Sequence, residues 1–254
     1  MLVDTHAHID FEDYEERFED LLKTCSNSGV EKIIIPGVEP SGFDRIMTLI
    51  STYDNVFGAI GIHPCDAKIW DDNSFNLIKS LAKHPKVVAI GEIGLDYYWD
   101  KSYKDLQKEV FFKQTEIAKE LKKPLIIHDR EAHGDTMEIL KATKASEIGV
   151  VMHCFSGSVE FAEECVKQGF YIALGGVVTF KNAKKPQEVA KNIPLENLLL
   201  ETDSPYLTPE PYRGKTNSPA NVRIIAEKIA QLRGISFEEV EKQTTLNAQR
   251  LFGI

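Results

Sequence analysis

Near the start of the chain, Val3-Asp4-Thr5-His6-Ala7-His8-Ile9-Asp10 reads as a short strand that ends in two histidines at i and i+2. Side chains two apart on a strand share a face, so both imidazoles can turn toward one point. An H-x-H pair by itself says little, and a single histidine is more often a hydrogen-bonded core residue than a ligand. Later apolar runs, however, also end in histidine or acid: His63, Glu92, His128, His153, and Glu201 with Asp203. Five of the seven histidines stand at such ends, and only His84 and His133 lie on or beside helical segments. That recurrence makes the core reading implausible for the set.

Four imidazoles (His6, His8, His128, His153) and two carboxylates (Glu92, Asp203), without a thiolate, form an N/O donor set that suits Zn, Mg, Mn, Ni or Fe. Six donors are too many for one catalytic ion that keeps a position open. Two divalent ions a few ångström apart, bridged by a carboxylate, use them naturally. Glu92, between the two histidine pairs, is the expected bridge. Asp203 is expected to bind one ion and to accept the proton of the attacking water. Glu201, two residues earlier and one layer deeper, is expected to orient a ligand and is the next candidate base. His63 is assigned to substrate. Asp4 and Asp96 are read as acceptors for backbone donors, and Cys154 as packing turned away from the site.

Eight apolar runs must position these residues: Leu2–His6, Lys32–Pro36, Val56–His63, Val87–Gly94, Pro124–His128, Gly149–His153, Tyr171–Gly175 and Leu198–Asp203. Ile33-Ile34-Ile35 and Leu198-Leu199-Leu200 are continuous rather than alternating, as in strands buried on both faces of a parallel sheet. Helical patterns fill the intervals. In 103–121, Leu106, Val110, Phe111, Ile117, Ala118 and Leu121 recur at helical spacing among Lys, Glu and Gln. Gly29, Gly149, Gly169 and Gly234 mark helix stops. Ser218-Pro219 marks a start, and Ser236-Phe237-Glu238-Glu239 opens a last helix running to about Leu251. Eight strands alternating with eight or nine helices in 254 residues predict a (β/α)8 TIM barrel, one domain over 1–254, with an extra C-terminal helix. No G-x-G-x-x-G, Walker A or G-x-S-x-G string is present, which removes support for nucleotide-cofactor and serine-hydrolase chemistry.

The formal charge of −9 argues against nonspecific coating of nucleic acid or anionic membrane, though not against a local basic patch. Residues 1–20 show no basic-then-apolar leader pattern, and no apolar run is long enough to span a bilayer. The four cysteines sit singly, without a C-x-x-C pair, so a reduced cytoplasmic setting is expected.

The chain resembles the TatD family of metal-dependent deoxyribonucleases, within the wider amidohydrolase-like superfamily. The strings that carry the likeness are DTHAHID at 4–10, GIHP at 61–64, GEIGLDYY at 91–98, PLIIHDR at 124–130, HCFSG at 153–157, LLLETDSPYLTP at 198–209 and RGKTNSP at 213–219. The resemblance implies His6, His8, Glu92, His128, His153 and Asp203 as ligands, with Glu92 where many superfamily relatives carry a carboxylated lysine. It implies hydrolysis of phosphodiester bonds in DNA, with single-stranded ends as substrate and two divalent ions. An alternative on the same scaffold is hydrolysis of an amide, lactone or aminoacyl ester, as in aminoacyl-tRNA deacylation. A catalytically silent binding barrel is disfavoured by the intact ligand set. Phosphate is expected at the loops after strands 7 and 8, which carry Lys181, Lys184 and Lys185, then Arg213 and Lys215. Arg213 is favoured there, because RGKTN resembles the family's phosphate-contacting stretch. Tyr97, Tyr98, Phe155, Phe180, Tyr206 and Tyr212 fall in or beside loops where bases could stack.

Overall fold

The computed structural model describes all 254 residues except the side chain of Glu16. The strands are β1 (Leu2–Asp4), β2 (Val30–Pro36), β3 (Val56–Ile60), β4 (Val87–Asp96), β5 (Leu125–Arg130), β6 (Val150–Met152), β7 (Tyr171–Leu174) and β8 (Leu198–Leu200). The helices are α1 (Phe18–Asn27), α2 (Pro40–Thr52), α3 (Asp72–Leu81), α4 (Lys104–Leu121), α5 (His133–Ala142), α6 (Val159–Lys167), α7 (Lys184–Asn192), α8 (Val222–Arg233) and α9 (Phe237–Phe252). The strands form one sheet in the order β1-β2-β3-β4-β5-β6-β7-β8. The alternation and the unbroken order are those of a (β/α)8 barrel, with α9 as the extra helix. The chain divides into two compact units: Met1–Ile35, Cys154–Lys167 and Tyr171–Ile254 in one, Pro36–His153 and Gln168–Phe170 in the other.

In the first unit, β1 pairs in parallel with β2, and β7 with β8. The chain beyond β8 returns to the chain beyond β1: Thr5 N–H donates to Leu200 O (3.0 Å), Asp203 N–H to His6 O (2.9 Å) and His8 N–H to Ser204 O (2.8 Å). Helix α9 starts at Ser236, whose hydroxyl accepts from Glu239 N–H, and α8 stops at Gly234 with φ +68°. Buried Asn247 on α9 donates to the carbonyls of Leu195 and Leu198, bracing the entry to β8.

In the second unit, all ten residues of β4 are buried, and β3, β4, β5 and β6 pair in parallel. The ladder at β3 stops at Ile60, three residues before His63, rather than continuing to it as the apolar run suggested. Helix α4 completes what the ladder leaves open. Gln114 takes Ile62 N–H on its amide oxygen (2.7 Å) and donates to Ile62 O (3.0 Å). Gln107 does the same for Asp96, at 2.9 and 3.0 Å. Seven residues apart, the two glutamines lie on one face of α4, and both are fully buried. The sequence pattern did not single them out, because a glutamine that replaces a strand looks the same as one facing water.

Replacing Gln114 with alanine leaves two buried backbone groups of Ile62 without partners, each worth about 1–3 kcal/mol. Urea unfolding of Gln114→Ala should therefore show a loss of about 2–4 kcal/mol. A loss below about 0.5 kcal/mol, ordinary for a surface change, would contradict the clamp.

Candidate functional site

One group of potential ligands lies wholly within each unit: His6, His8 and Asp203 in the first, and His63, Glu92 and His128 in the second. In the first, His6 Nε2 and His8 Nε2 stand 3.3 Å apart, and both face Asp203 Oδ1, at 3.8 and 3.6 Å. Donors at about 2.1 Å from a common tetrahedral ion stand about 3.4 Å apart, so the three atoms have the spacing of one coordination shell. His6 and His8 lie just past β1 and converge as an i, i+2 pair. His8 is held flat against Phe11, with ring centroids 4.9 Å apart and planes 17° from parallel. Asp203 adopts a left-handed backbone (φ +54°), which aspartate tolerates better than most side chains.

Asp4 ties this group together from below. Its carboxylate accepts from His6 N–H (3.2 Å), Thr202 N–H (3.0 Å) and Thr202 Oγ1. Burial pushes its pKa well above the usual carboxylate range, against those hydrogen bonds, which pull it down. Glu201 is fully buried, accepts Cys154 N–H and has an oxygen within 4.8 Å of a His6 ring nitrogen. Buried Asn217 was not singled out in the sequence. It donates to Thr202 O (3.0 Å) and Tyr206 O (2.6 Å), and its oxygen accepts from Ser218 N–H and Asn221 (both 2.8 Å). Those bonds shape the loop that carries Asp203. Cys154 departs from its sequence reading: at φ +44° it breaks strand alternation, and its Sγ lies within 4.8 Å of an Asp203 oxygen.

In the second unit, Glu92 Oε1 meets His128 Nδ1 at 2.7 Å, His153 Nε2 at 3.3 Å and His63 Nε2 at 3.6 Å. His63 Nδ1 accepts the Cys65 N–H (3.1 Å), so a neutral ring carries its proton on Nε2. His63 therefore presents a donor, which fits substrate contact and does not fit ligation. His128 Nε2 lies 2.9 Å from Asp96 Oδ2, while Asp96 Oδ1 accepts the N–H groups of Tyr98 (2.9 Å) and Trp99 (3.2 Å). Asp96 thus does more than the backbone role read from sequence: it aims His128 Nδ1 at the site, the arrangement typical of metal-ligating histidines. Its signal was the acid four residues after Glu92 on one strand, on the same face by period 2.

Burial pulls the His128 pKa down, but hydrogen bonds to Asp96 and Glu92 prevail and raise it to about 9. Burial also acts to raise Asp96, and the bonds from His128 and the two amides prevail, lowering it. Without metal, then, His128 holds a proton at Nδ1 that an ion at that atom would displace.

The expected substrate groups scatter. Arg213 stacks on Phe180, 4.0 Å from the guanidinium carbon to the ring centroid, beside a cleft of about 530 Å³ that Leu207, Thr208 and Lys215 also line. Lys181, Lys184 and Lys185 are exposed. Of the aromatic residues, Phe155 is buried against Phe161 and offers no face to a base, while half-buried Tyr97 donates its hydroxyl to Asp135 (2.6 Å). Tyr98, Tyr206 and Tyr212 are exposed. No helix among the described residues is long and apolar enough to cross a membrane.

A family model described as TatD related DNase matches residues 3–253. The chain is 51% identical over 254 residues to an uncharacterized metal-dependent hydrolase, YabD, of Bacillus subtilis, covering 100% of each. It is 41% identical over 256 residues to another, YcfH of Escherichia coli, covering 100% of this chain and 96% of the relative. The crystal structure of YjjV, a TatD homologue from Escherichia coli, superposes with a TM-score of 0.95 at 33% identity, covering 100% and 98%. The chain belongs to the TatD family of metal-dependent hydrolases, and its fold is the (β/α)8 barrel of that family.

His128 has a folded-state pKa above its unfolded value near 6.5, so its stabilising contribution is complete below about pH 6.5. It is lost as pH rises through about 9. Urea midpoints of metal-free protein should fall across that window, and Asp96→Asn should flatten the fall. The same variant should bind metal about 10–100-fold more weakly, the usual effect of removing a histidine's outer partner. Identical pH profiles for variant and parent would remove the Asp96–His128 pair from the account.

Proposed function

We propose that the chain is a deoxyribonuclease that hydrolyses phosphodiester bonds at single-stranded DNA ends, as an exonuclease, with two divalent ions. One ion is assigned to His6, His8 and Asp203, the other to Glu92, His128 and His153. What carries the reading is that His6, His8 and Asp203 come together at coordination spacing, while Glu92 meets His128 at 2.7 Å and His153 at 3.3 Å. When bound, the ions supply Lewis acidity and charge for the departing oxygen.

The protein's own groups take the remaining roles. The Asp203 carboxylate accepts the proton of the attacking water, and Glu201 holds His6 and the chain after His153 in place. His63 Nε2–H donates to a phosphate oxygen. Arg213, backed by Phe180, and Lys215 neutralise phosphate charge farther out. The match over residues 3–253 supports a single domain across both units, and the lone cysteines support a cytoplasmic setting.

Metal-reconstituted protein should cleave single-stranded DNA in preference to RNA, aminoacyl-tRNA and small phosphodiesters, and lose activity on chelation. Release of aminoacyl groups without DNA cleavage would instead select the carbonyl-directed chemistry. Asp203→Asn should lower kcat at least about a hundredfold with little change in KM, the low end for loss of a general base. A near-normal kcat would move the base to Glu201. With two or three phosphates neutralised, log K should fall with log salt at a slope of roughly −1.5 to −2. Arg213→Ala should weaken binding across sequences and flatten that slope, with metal content unchanged.

A further inference from the structure

Arg130 belongs to neither group of candidate ligands. It ends β5 two residues beyond His128, so both side chains leave the strand on one face, with Arg130 roughly 7 Å farther out. Its guanidinium carbon lies 3.8 Å from the ring centroid of Tyr98 and 5.5 Å from that of Trp99. The guanidinium makes no hydrogen bond or ion pair among the described residues. An arginine lying on a ring face keeps its N–H groups directed outward in the plane, where a phosphate can take two of them.

The rings beneath it are unusually bare. Tyr98 is 50% exposed and Trp99 is 70% exposed, and they meet edge to face at 5.0 Å. They are also fixed in place. Asp96 Oδ1 holds both backbone N–H groups, while its other oxygen holds His128, so one carboxylate sets the distance between the rings and the candidate ligand. The nearby acids are neutralised: Asp100 faces Lys68 at 3.6 Å, and Glu131 faces Lys101 at 3.5 Å. An exposed, rigid aromatic surface beside an unspent guanidinium matches the two halves of a nucleotide, a base with a π-face and a phosphate.

We infer that Tyr98, Trp99 and Arg130 form a shelf for a nucleotide flanking the scissile bond, with Arg130 gripping its phosphate and Trp99 stacking its base. The inference rests on the phosphodiesterase reading above and names where that substrate's next unit lies. Stacking of this kind is indifferent to base identity, so the shelf selects single strands without reading sequence.

Trp70 is the other tryptophan in the chain, so Trp70→Phe leaves Trp99 as the sole tryptophan emitter. In that background, a single-stranded oligonucleotide should quench the emission, and a strand of the same length with abasic residues should not. Trp99→Ala and Arg130→Ala should each raise KM for the base-bearing strand at least about fivefold, with kcat little changed, matching the low end of stacking on one base. Trp99→Ala should leave KM for the abasic strand unaltered, whereas Arg130→Ala should raise it. Arg130→Lys should recover little of the loss, because a point charge neither stacks nor grips with two bonds. Normal KM in both alanine variants of an enzyme that still cleaves DNA would overturn the shelf and spare the phosphodiesterase reading. A lowered thermal midpoint with unchanged KM would reduce Arg130 to a structural contact and overturn it equally. If the parent neither binds nor cleaves single strands with any divalent metal, the phosphodiesterase reading fails and takes the shelf with it.

Discussion

At β1, β3, β6 and β8 the ladders of backbone hydrogen bonds run out before the reactive residues begin, yet the chain just beyond them is still buried. Each leftover N–H and C=O must find a partner, since an unpaired buried group costs about 1–3 kcal/mol. Side chains supply many of those partners near the candidate ligands. Asp4 takes the amides of His6 and Thr202, Gln114 those around His63, Gln107 those of Asp96, and Asn217 the carbonyls of Thr202 and Tyr206. The site's precision follows from this constraint, because the same bonds that avoid the desolvation cost also fix where each ligand can point.

Charge is handled by the same economy. His128 and Glu92 share a proton-mediated contact of 2.7 Å, and Asp96 holds the far side of the ring. A proton therefore occupies the place where a cation is assigned, which keeps two buried carboxylates beside one imidazole from repelling each other unopposed. Exchanging that proton for an ion leaves Asp96 in place as the ring's outer anchor. The left-handed backbones at Cys154 and Asp203 serve a similar end: each turns a side chain where continued strand alternation would not put it.

The fold and the candidate ligand positions were marked in the sequence for different reasons. Continuous runs such as Leu198-Leu199-Leu200, with Gly29, Gly149, Gly169 and Gly234 as helix stops, encode a parallel sheet with helical returns, and all four glycines have positive φ. The i, i+2 spacing of His6 and His8 encodes convergence directly. The supporting residues were hidden, because Gln107, Gln114 and Asn217 are polar types whose burial depends on backbone groups far away in sequence. Arg130 and Trp99 were hidden differently: nothing local says that one side chain will lie across the other's ring. Cys154 was misread because strand periodicity was carried one residue past the point where φ changes sign.

The central claim is that two separate groups each hold one ion. Metal content of purified, reconstituted protein, measured by elemental analysis together with the paired variants His6→Ala/His8→Ala and Glu92→Gln/His128→Ala, tests it most directly. The parent should hold two equivalents per chain and each double variant one, with unchanged circular dichroism. One equivalent in the parent, or loss of all metal from a folded double variant, would contradict it.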